Sequence, residues 1–197
     1  EPLIGATRDA ESRVREKAVW SLGLVGDERA VEPLVLSLKD SDWEVRSQAA
    51  WALGLKGDDR AVEGLVATLS DANPKVQSQA AWALGLKGNS QSVEPLSIAL
   101  VNGASDEVRS QAAWALGLKG DSRAVPQLIN ALKDSSSEVR SQAAWALGLK
   151  GDSRSVVALV ESLKDTNAEV RSQAAWALGL KGDSRAVVGL VDTLRDS

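Results

Sequence analysis

The segment SQAAWALGLKG occurs five times without a change, beginning at Ser47, Ser78, Ser110, Ser141 and Ser172. A diverged copy precedes these five and runs from residue 16 to residue 26. The copies recur at a nearly constant interval of about 31 residues, and similarity at a fixed period of this length is the signature of a repeat architecture. The sequence therefore predicts an array of stacked repeats rather than a fold with one central core.

Each repeat is predicted to contain two helices joined by a short turn. In the first helix the apolar residues Val45, Ala49 and Leu53 recur at every fourth position, which is a helical period. Gly57-Asp58 then ends this helix and begins the next one. The second helix shows one apolar stripe with i, i+3, i+4, i+7 spacing, as in Val125, Leu128, Ile129 and Leu132.

The repeat boundaries follow from this pattern. We expect one domain over residues 1–197, with repeats at 10–40, 41–71, 72–103, 104–134, 135–165 and 166–197. Residues 1–9 are predicted to be the remnant of a preceding repeat, because the segment 1–4 matches the segment 32–35 at the same offset.

A helical wheel predicts which side of the first helix faces outward. At about 100° per residue, the stripe of Val45, Ala49 and Leu53 centres near 50°, whereas Trp51 falls at about 240° and Leu55 at about 280°. Small residues flank the core stripe, as closely stacked helices require. The wheel therefore predicts an outward ladder of one tryptophan and one leucine per repeat: Trp20, Leu24, Trp51, Leu55, Trp82, Leu86, Trp114, Leu118, Trp145, Leu149, Trp176 and Leu180. The alternative is core packing of the indoles, through strong curvature of the array.

Composition argues against catalysis. The chain has no histidine, cysteine, tyrosine, phenylalanine or methionine, so the commonest general bases and nucleophiles are missing. We expect no enzyme activity, no catalytic residue, no metal site and no cofactor. The net charge of -4 argues against nucleic acid as a partner. No apolar run is long enough for a membrane span, so a soluble, most simply cytoplasmic, protein without a membrane partner is expected.

The repeats differ from one another in an uneven way. The first helix is identical over its core segment in five copies, whereas the second helix varies freely. Recent duplication alone would leave both helices equally alike. Two explanations remain. Either the function or the design of the tryptophan face keeps the sequence of the first helix constant, or the first helix packs more tightly than the second.

The turn between the helices carries a recurring Asp-x-Arg pair, at Asp27/Arg29, Asp58/Arg60, Asp121/Arg123, Asp152/Arg154 and Asp183/Arg185. We expect the aspartate to cap the second helix and the arginine to reach a carboxylate of a neighbouring repeat. The third repeat has Asn89 and Gln91 at these positions, and it also has Lys75 and Gln77 where other repeats have glutamate and arginine.

The pattern VRxxAAxALGxxGDxRAV resembles the HEAT-like repeat of the phycobilin-lyase type and the artificial alpha-helical repeat proteins built on its consensus. The resemblance covers the whole chain and implies an all-α, right-handed α-solenoid of HEAT-like two-helix repeats, with six full units of about 31 residues each plus a partial N-terminal helix. It also implies that the first helices line a concave face. The positions that vary for binding in the artificial proteins correspond to Trp43, Glu44, Ser47, Gln48, Trp51 and Leu55. The family has isoleucine where this chain has Lys56 and its counterparts, which leaves the packing at that helix end open.

These observations predict a non-enzymatic binding scaffold that uses the tryptophan and leucine ladder of the concave face. The expected partner is a protein or an extended peptide, because neighbouring helices lie about 8 to 10 Å apart and an extended chain advances this far in three residues. Two alternatives remain. A second copy of the chain has a ladder of the same period, which predicts a self-assembling structural protein, and the resemblance alone suggests a subunit similar to a bilin lyase.

Overall fold

A computed structural model of the chain describes residues 2–182, and the regular elements of this stretch are all helical. The chain divides into two compact units, Glu1–Pro95 and Leu96–Ser197. The second helix predicted for the last repeat and the turn pair Asp183/Arg185 lie outside the described residues. Between residues 2 and 182, no helix is long and apolar enough to cross a membrane.

The helices are numbered in chain order, and two classes alternate. The first helices of the repeats are α2 (Ser12–Val25), α4 (Trp43–Lys56), α6 (Pro74–Lys87), α8 (Asp106–Lys119), α10 (Ser137–Lys150) and α12 (Ala168–Lys181). The second helices are α1 (Pro2–Ala6), α3 (Val31–Ser37), α5 (Asp59–Thr68), α7 (Val93–Asn102), α9 (Val125–Ala131) and α11 (Ser155–Ser162). A single 3-10 turn precedes α3, α7 and α9. The predicted all-α fold of two-helix repeats is confirmed.

Stacking of the first helices builds most of the core. Helix α4 packs between α2 and α6 in the first unit, and α10 packs between α8 and α12 in the second. In α4 the residues Val45, Ala49, Ala50, Ala52 and Leu53 are fully buried, as the wheel predicts for the core stripe and its small flanks. The second helices add one fully buried leucine each in α3, α5, α7, α9 and α11, at Leu34, Leu65, Leu96, Leu128 and Leu159.

A glycine in α2, α4, α8 and α10 lets the next first helix approach closely. A Cβ atom added to Gly117 would lie 2.8 Å from Cζ3 of Trp145, 2.8 Å from Cβ of Ala146 and 2.9 Å from the Ala146 backbone. Gly23, Gly54 and Gly148 face the tryptophan and alanine of the next repeat in the same way. Contacts this short leave no room for a methyl group. The glycine therefore holds neighbouring helices together and seats one edge of the next indole.

Partly buried arginine–aspartate pairs tie the two ends of a repeat together. The arginine of a first helix binds the aspartate that follows the second helix of the same repeat, with nitrogen–oxygen distances of 2.7 or 2.8 Å. The pairs are Arg15/Asp40, Arg46/Asp71, Arg109/Asp134 and Arg140/Asp165. Each is bidentate, with Nε and Nη2 donating to the two carboxylate oxygens.

The same guanidinium groups also hold the loop that enters their own repeat. Nη1 of Arg140 donates to the carbonyl oxygens of Asp134 and Ser135, at 3.0 and 3.2 Å. Arg109 binds the Asp134 carboxylate, so this one loop is held by the arginines of two successive repeats. Charge-assisted, bidentate hydrogen bonds are the strongest class in proteins, and here they fix the loops between repeats.

These hydrogen bonds lower the pKa values of the aspartates. The side-chain hydrogen bond from Arg140 outweighs the effect of burial and holds the pKa of Asp165 below its usual value. The pKa of Asp40 is lowered for the same reason by Arg15. Because the pKa is lower in the folded chain than in the unfolded chain, the stabilisation is present above about pH 4 and is lost as the pH falls through the folded value.

Within residues 2–182, the turn aspartates cap the second half of their repeats, as predicted. Oδ1 of Asp27 accepts the backbone N–H of Arg29 at 3.0 Å, and Asp58 accepts that of Arg60 at 3.0 Å. Asn89 takes this role in the third repeat and accepts the N–H of Gln91 at 2.9 Å. The exchange of aspartate for asparagine therefore keeps the cap and removes the charge.

The predicted contact between a turn arginine and a neighbouring carboxylate is wrong for Arg60 and Arg154. Each binds the aspartate two residues before it, Asp58 or Asp152, at 2.7 and 2.6 Å. The tight turn puts these side chains on the same side, so the nearest carboxylate is the capping one. Arg60 does reach the preceding repeat, but its acceptor there is the backbone oxygen of Glu28.

The end of the first helix has lysine where the resemblance implies isoleucine. This lysine reaches back to the preceding repeat. Nζ of Lys181 donates to the carbonyl oxygen of Gly151 at 2.6 Å. The aliphatic part of Lys150 lies over Gly120, which has a left-handed backbone with φ of 68°. A cation near the C-terminal carbonyls of a helix is stabilising. Desolvation by burial lowers the pKa of Lys181, despite the charge of Asp152.

Replacing the contact glycine is expected to destabilise the second unit. Gly117→Ala should lower the free energy of unfolding by about 1 to 2 kcal/mol, because the overpacking exceeds the gain in helix propensity. Gly179 occupies the same motif position, and no described atom of another helix lies within 4 Å of its added Cβ. Gly179→Ala should therefore stabilise by about 0.5 to 1 kcal/mol. Urea unfolding measures both, and equal shifts in the two variants would contradict the packing role.

Removing the partly buried Arg140 should cost stability in a pH-dependent way. Arg140→Ala is expected to lower the free energy of unfolding by about 2 kcal/mol at pH 7, because a largely buried carboxylate loses its partner. The difference from the wild type should shrink below about pH 4, where Asp165 becomes protonated. Urea unfolding from pH 7 to pH 2 measures this. The control Arg154→Ala breaks a pair that is half exposed, so its loss should be small, and a loss as large as that of Arg140→Ala would contradict the account.

Candidate functional site

The outward side of the first helices exposes one leucine per repeat. The six leucines of the predicted ladder are between 37% and 55% exposed, and they are Leu24, Leu55, Leu86, Leu118, Leu149 and Leu180. Each lies one helical turn after a tryptophan of the same helix. A row of exposed leucines within one unit is a larger apolar surface than isolated surface residues provide.

Four of the six ladder tryptophans are less exposed than the ladder leucines. Trp20 and Trp176 are 44% and 42% exposed, whereas the four between them in sequence, Trp51, Trp82, Trp114 and Trp145, are half-buried. The contact of the Cζ3 edge with the glycine of the preceding repeat explains the buried part of Trp51, Trp82 and Trp145. Each of these three indoles thus has one edge in the packing between repeats and another part open to solvent.

The predicted outward position of the serines is correct for only part of the set. Ser47 and Gln48 are half-buried, but the counterparts Ser78, Ser110 and Ser141 are buried. The wheel treats one helix alone, whereas the neighbouring first helix covers this side of the serine. Oγ of Ser78 donates to the carbonyl of Lys75 and Oγ of Ser110 to that of Glu107, both at 3.1 Å.

A groove in the second unit opens between two successive indoles. Trp114 and Trp145 line it together with Glu138, Ser141, Gln142, Glu169 and Gln173, and its volume is about 530 Å³. The residues come from α8, α10 and α12, so the stacking of the first helices creates the groove. It combines aromatic surface with carboxylate and amide groups, which is the mixed chemistry of a site that binds rather than reacts.

The charge in this groove is negative. Gln142 donates to Oε1 of Glu138 at 3.1 Å, and Gln173 donates to Oε1 of Glu169 at 2.7 Å. These amides orient the two carboxylates and leave both negative charges in place. The groove is lined by no arginine or lysine among the described residues.

The first unit carries a cation on its corresponding helix. Lys75 replaces the glutamate that other repeats have at this position, and its Nζ lies 5.6 Å from the centre of the Trp43 ring. This distance is typical of a cation–π interaction. Lys75 therefore places a positive charge at a motif position where α4, α8, α10 and α12 have glutamate.

A second groove lies on the other side of the first unit, between α3 and α5. Its volume is about 470 Å³, and it is lined by Val35, Leu38, Gly64, Asp71 and further residues of this region. The Asp71 carboxylate already binds Arg46. The lining also includes Lys39, Arg60 and Glu63, so this groove presents charges of both signs.

Comparison with known proteins places this geometry in a family. The sequence pattern of HEAT repeats matches overlapping stretches at residues 1–85, 31–117, 62–134, 93–179 and 125–197. No protein of curated function matches the sequence significantly.

Solved structures agree with the repeat fold. The Escherichia coli protein YibA is 27% identical with a TM-score of 0.73, over 97% of this chain and 74% of that one. The complex of CpcE and CpcF of phycocyanin lyase from Nostoc sp. is 23% identical with a TM-score of 0.68, over 99% and 86%. A designed armadillo repeat protein in complex with the peptide (KR)4 is 24% identical with a TM-score of 0.69, over 91% and 98%. The chain belongs to the HEAT-repeat family.

Proposed function

We propose that this chain is a non-enzymatic binding scaffold whose first-helix side holds an extended segment of a protein partner. The observation that carries the proposal is the groove between Trp114 and Trp145, which joins two half-buried indoles to polar groups. Tryptophan is the residue most enriched in the energetic centres of protein interfaces. The exposed Leu118 and Leu149 extend the apolar surface by one helical turn from each indole.

The dimensions of the repeat favour an extended occupant. First helices that pack directly against one another lie about 8 to 10 Å apart. A polyproline II or β segment advances about 9 to 10 Å in three residues, so every third side chain meets an equivalent position on the next helix. A designed repeat protein of similar fold holds a peptide, which supports this mode for the fold in general.

A second copy of the chain is the other candidate occupant. The exposed leucines recur with the same period in both molecules, and α1 and α2 add a shallow apolar patch around Leu3, Ala6 and Val14. Val14 is 41% exposed, whereas Val45 at the same motif position is fully buried. Apolar surface of this kind is covered by another repeat elsewhere in the chain, which favours association between copies.

Peptide selection with matched variants tests the proposal. Peptides selected from a random library on the wild-type chain should bind Leu118→Ser/Leu149→Ser at least about tenfold more weakly, because an apolar contact is lost at each position. The control Ile98→Ser/Val157→Ser changes two residues on second helices that are 53% and 57% exposed, and it should bind as the wild type does. Fluorescence anisotropy gives the affinities.

Three results would count against peptide binding on this side. They are a failure to select any peptide, an equal loss of affinity in both double variants, and no loss of affinity in Leu118→Ser/Leu149→Ser. Light scattering on the same proteins decides between occupants. A dimer that disappears only in Leu118→Ser/Leu149→Ser would make the second copy the partner.

A further inference from the structure

We propose that the groove between Trp114 and Trp145 binds a basic side chain, arginine or lysine, of the extended segment. This inference rests on the proposed function, because it names the chemistry of the partner that the same side of the helices would hold. It concerns Trp114, Trp145, Ser141, Glu138 and Glu169, which are brought together by α8, α10 and α12.

Two carboxylates set the charge that the groove accepts. Glu138 and Glu169 come from successive first helices, and each uses only Oε1 for its contact with a glutamine. Neither carboxylate has a basic partner among residues 2–182, unlike the aspartates that the loop arginines hold. Two uncompensated negative charges beside one groove attract a cation and repel an acidic peptide or a nucleic acid.

The indoles favour the same ligand. The face of an indole carries negative electrostatic potential and attracts a guanidinium or an ammonium group. The chain itself shows this on an equivalent helix, since Lys75 lies over Trp43. Lys75 stands where the second unit has Glu138 and Glu169, so there the cation must come from outside.

The hydroxyl group of Ser141 favours a polar ligand in the groove. Ser141 is only 5% exposed and lines the groove. The hydroxyls of its counterparts Ser78 and Ser110 donate to carbonyls of their own helices. That of Ser141 makes no hydrogen bond within the described stretch. Gln127 Oε1 is the one buried side-chain atom without a partner in the described stretch, so the Ser141 hydroxyl opens to the groove. There it is free to accept a hydrogen bond from an arginine donor.

The planar guanidinium group fits this arrangement better than a neutral side chain does. It stacks on an aromatic ring and still directs its N–H groups sideways toward carboxylate and hydroxyl oxygens. A leucine side chain would contact the indoles but would leave both carboxylates without a cationic partner and the Ser141 hydroxyl without a hydrogen bond. We therefore expect the groove to discriminate by charge as well as by shape.

Three fluorescein-labelled peptides with the same backbone test this inference on the full chain. They carry arginine, leucine or glutamate at every third position, with proline and alanine elsewhere. The arginine peptide should bind at least about tenfold more tightly than the leucine peptide, and the glutamate peptide should bind most weakly. Glu138→Gln/Glu169→Gln should weaken the arginine peptide about tenfold and leave the leucine peptide unchanged.

The control Glu63→Gln/Glu161→Gln removes the same net charge from two exposed positions on second helices. It should leave the arginine peptide within about twofold of the wild type at physiological salt, because distant exposed charges are screened. Circular dichroism melts show that each variant is folded. Ser141→Ala, which removes only the hydroxyl, should weaken the arginine peptide about threefold.

The outcomes separate this inference from the proposed function. Equal binding of the arginine and leucine peptides overturns the basic ligand and leaves peptide binding intact. An equal loss in the two double variants also overturns it, because the attraction would then be one of net charge. Failure of all three peptides, together with failure of peptide selection, overturns the proposed function itself.

Discussion

The contact between the glycine of one first helix and the indole of the next determines the rest of the structure. With hydrogen as its side chain, Gly117 lets α10 approach α8 until Trp145 and Ala146 touch its backbone. This approach buries the alanines that form the core between first helices and sets their separation. It also holds one edge of the indole, which keeps the open part of the ring at a fixed place in the groove. One contact therefore serves both the packing between repeats and the geometry of the proposed binding groove.

The arginine–aspartate pairs are the second determinant of the architecture. They join the beginning and the end of a repeat, and the loop that begins at Asp134 meets the arginines of two repeats. Pairing of partly buried charges offsets the cost of removing them from water, so these contacts fix the position of the loops more than they add net stability. The third repeat has Gln77 and Asn102 at the two positions, so both members of the pair are replaced together. Gln77 still donates to the Asp71 carbonyl, which keeps the loop contact without charge.

Much of the fold could be predicted from the sequence, because periodicity reports directly on which residues face the core. The wheel assigned Val45, Ala49 and Leu53 correctly, and the exposed leucines agree with it. It could not show that the indoles lie half within the packing, since it contains no neighbouring helix. The buried state of Ser141 was missed for the same reason. The arginine pairs could have been found, because the arginine and the aspartate recur at a constant separation along the sequence.

The binding account depends on which indoles a ligand reaches, and nuclear magnetic resonance measures this directly. The seven tryptophans give seven indole N–H signals in a nitrogen–proton correlation spectrum. On titration with the arginine peptide, the account predicts that the signals of Trp114 and Trp145 shift most, and that the signal of Trp43, which already carries Lys75, shifts least. Equal small shifts of all seven signals, or a shift confined to Trp43, would contradict the groove as the binding site.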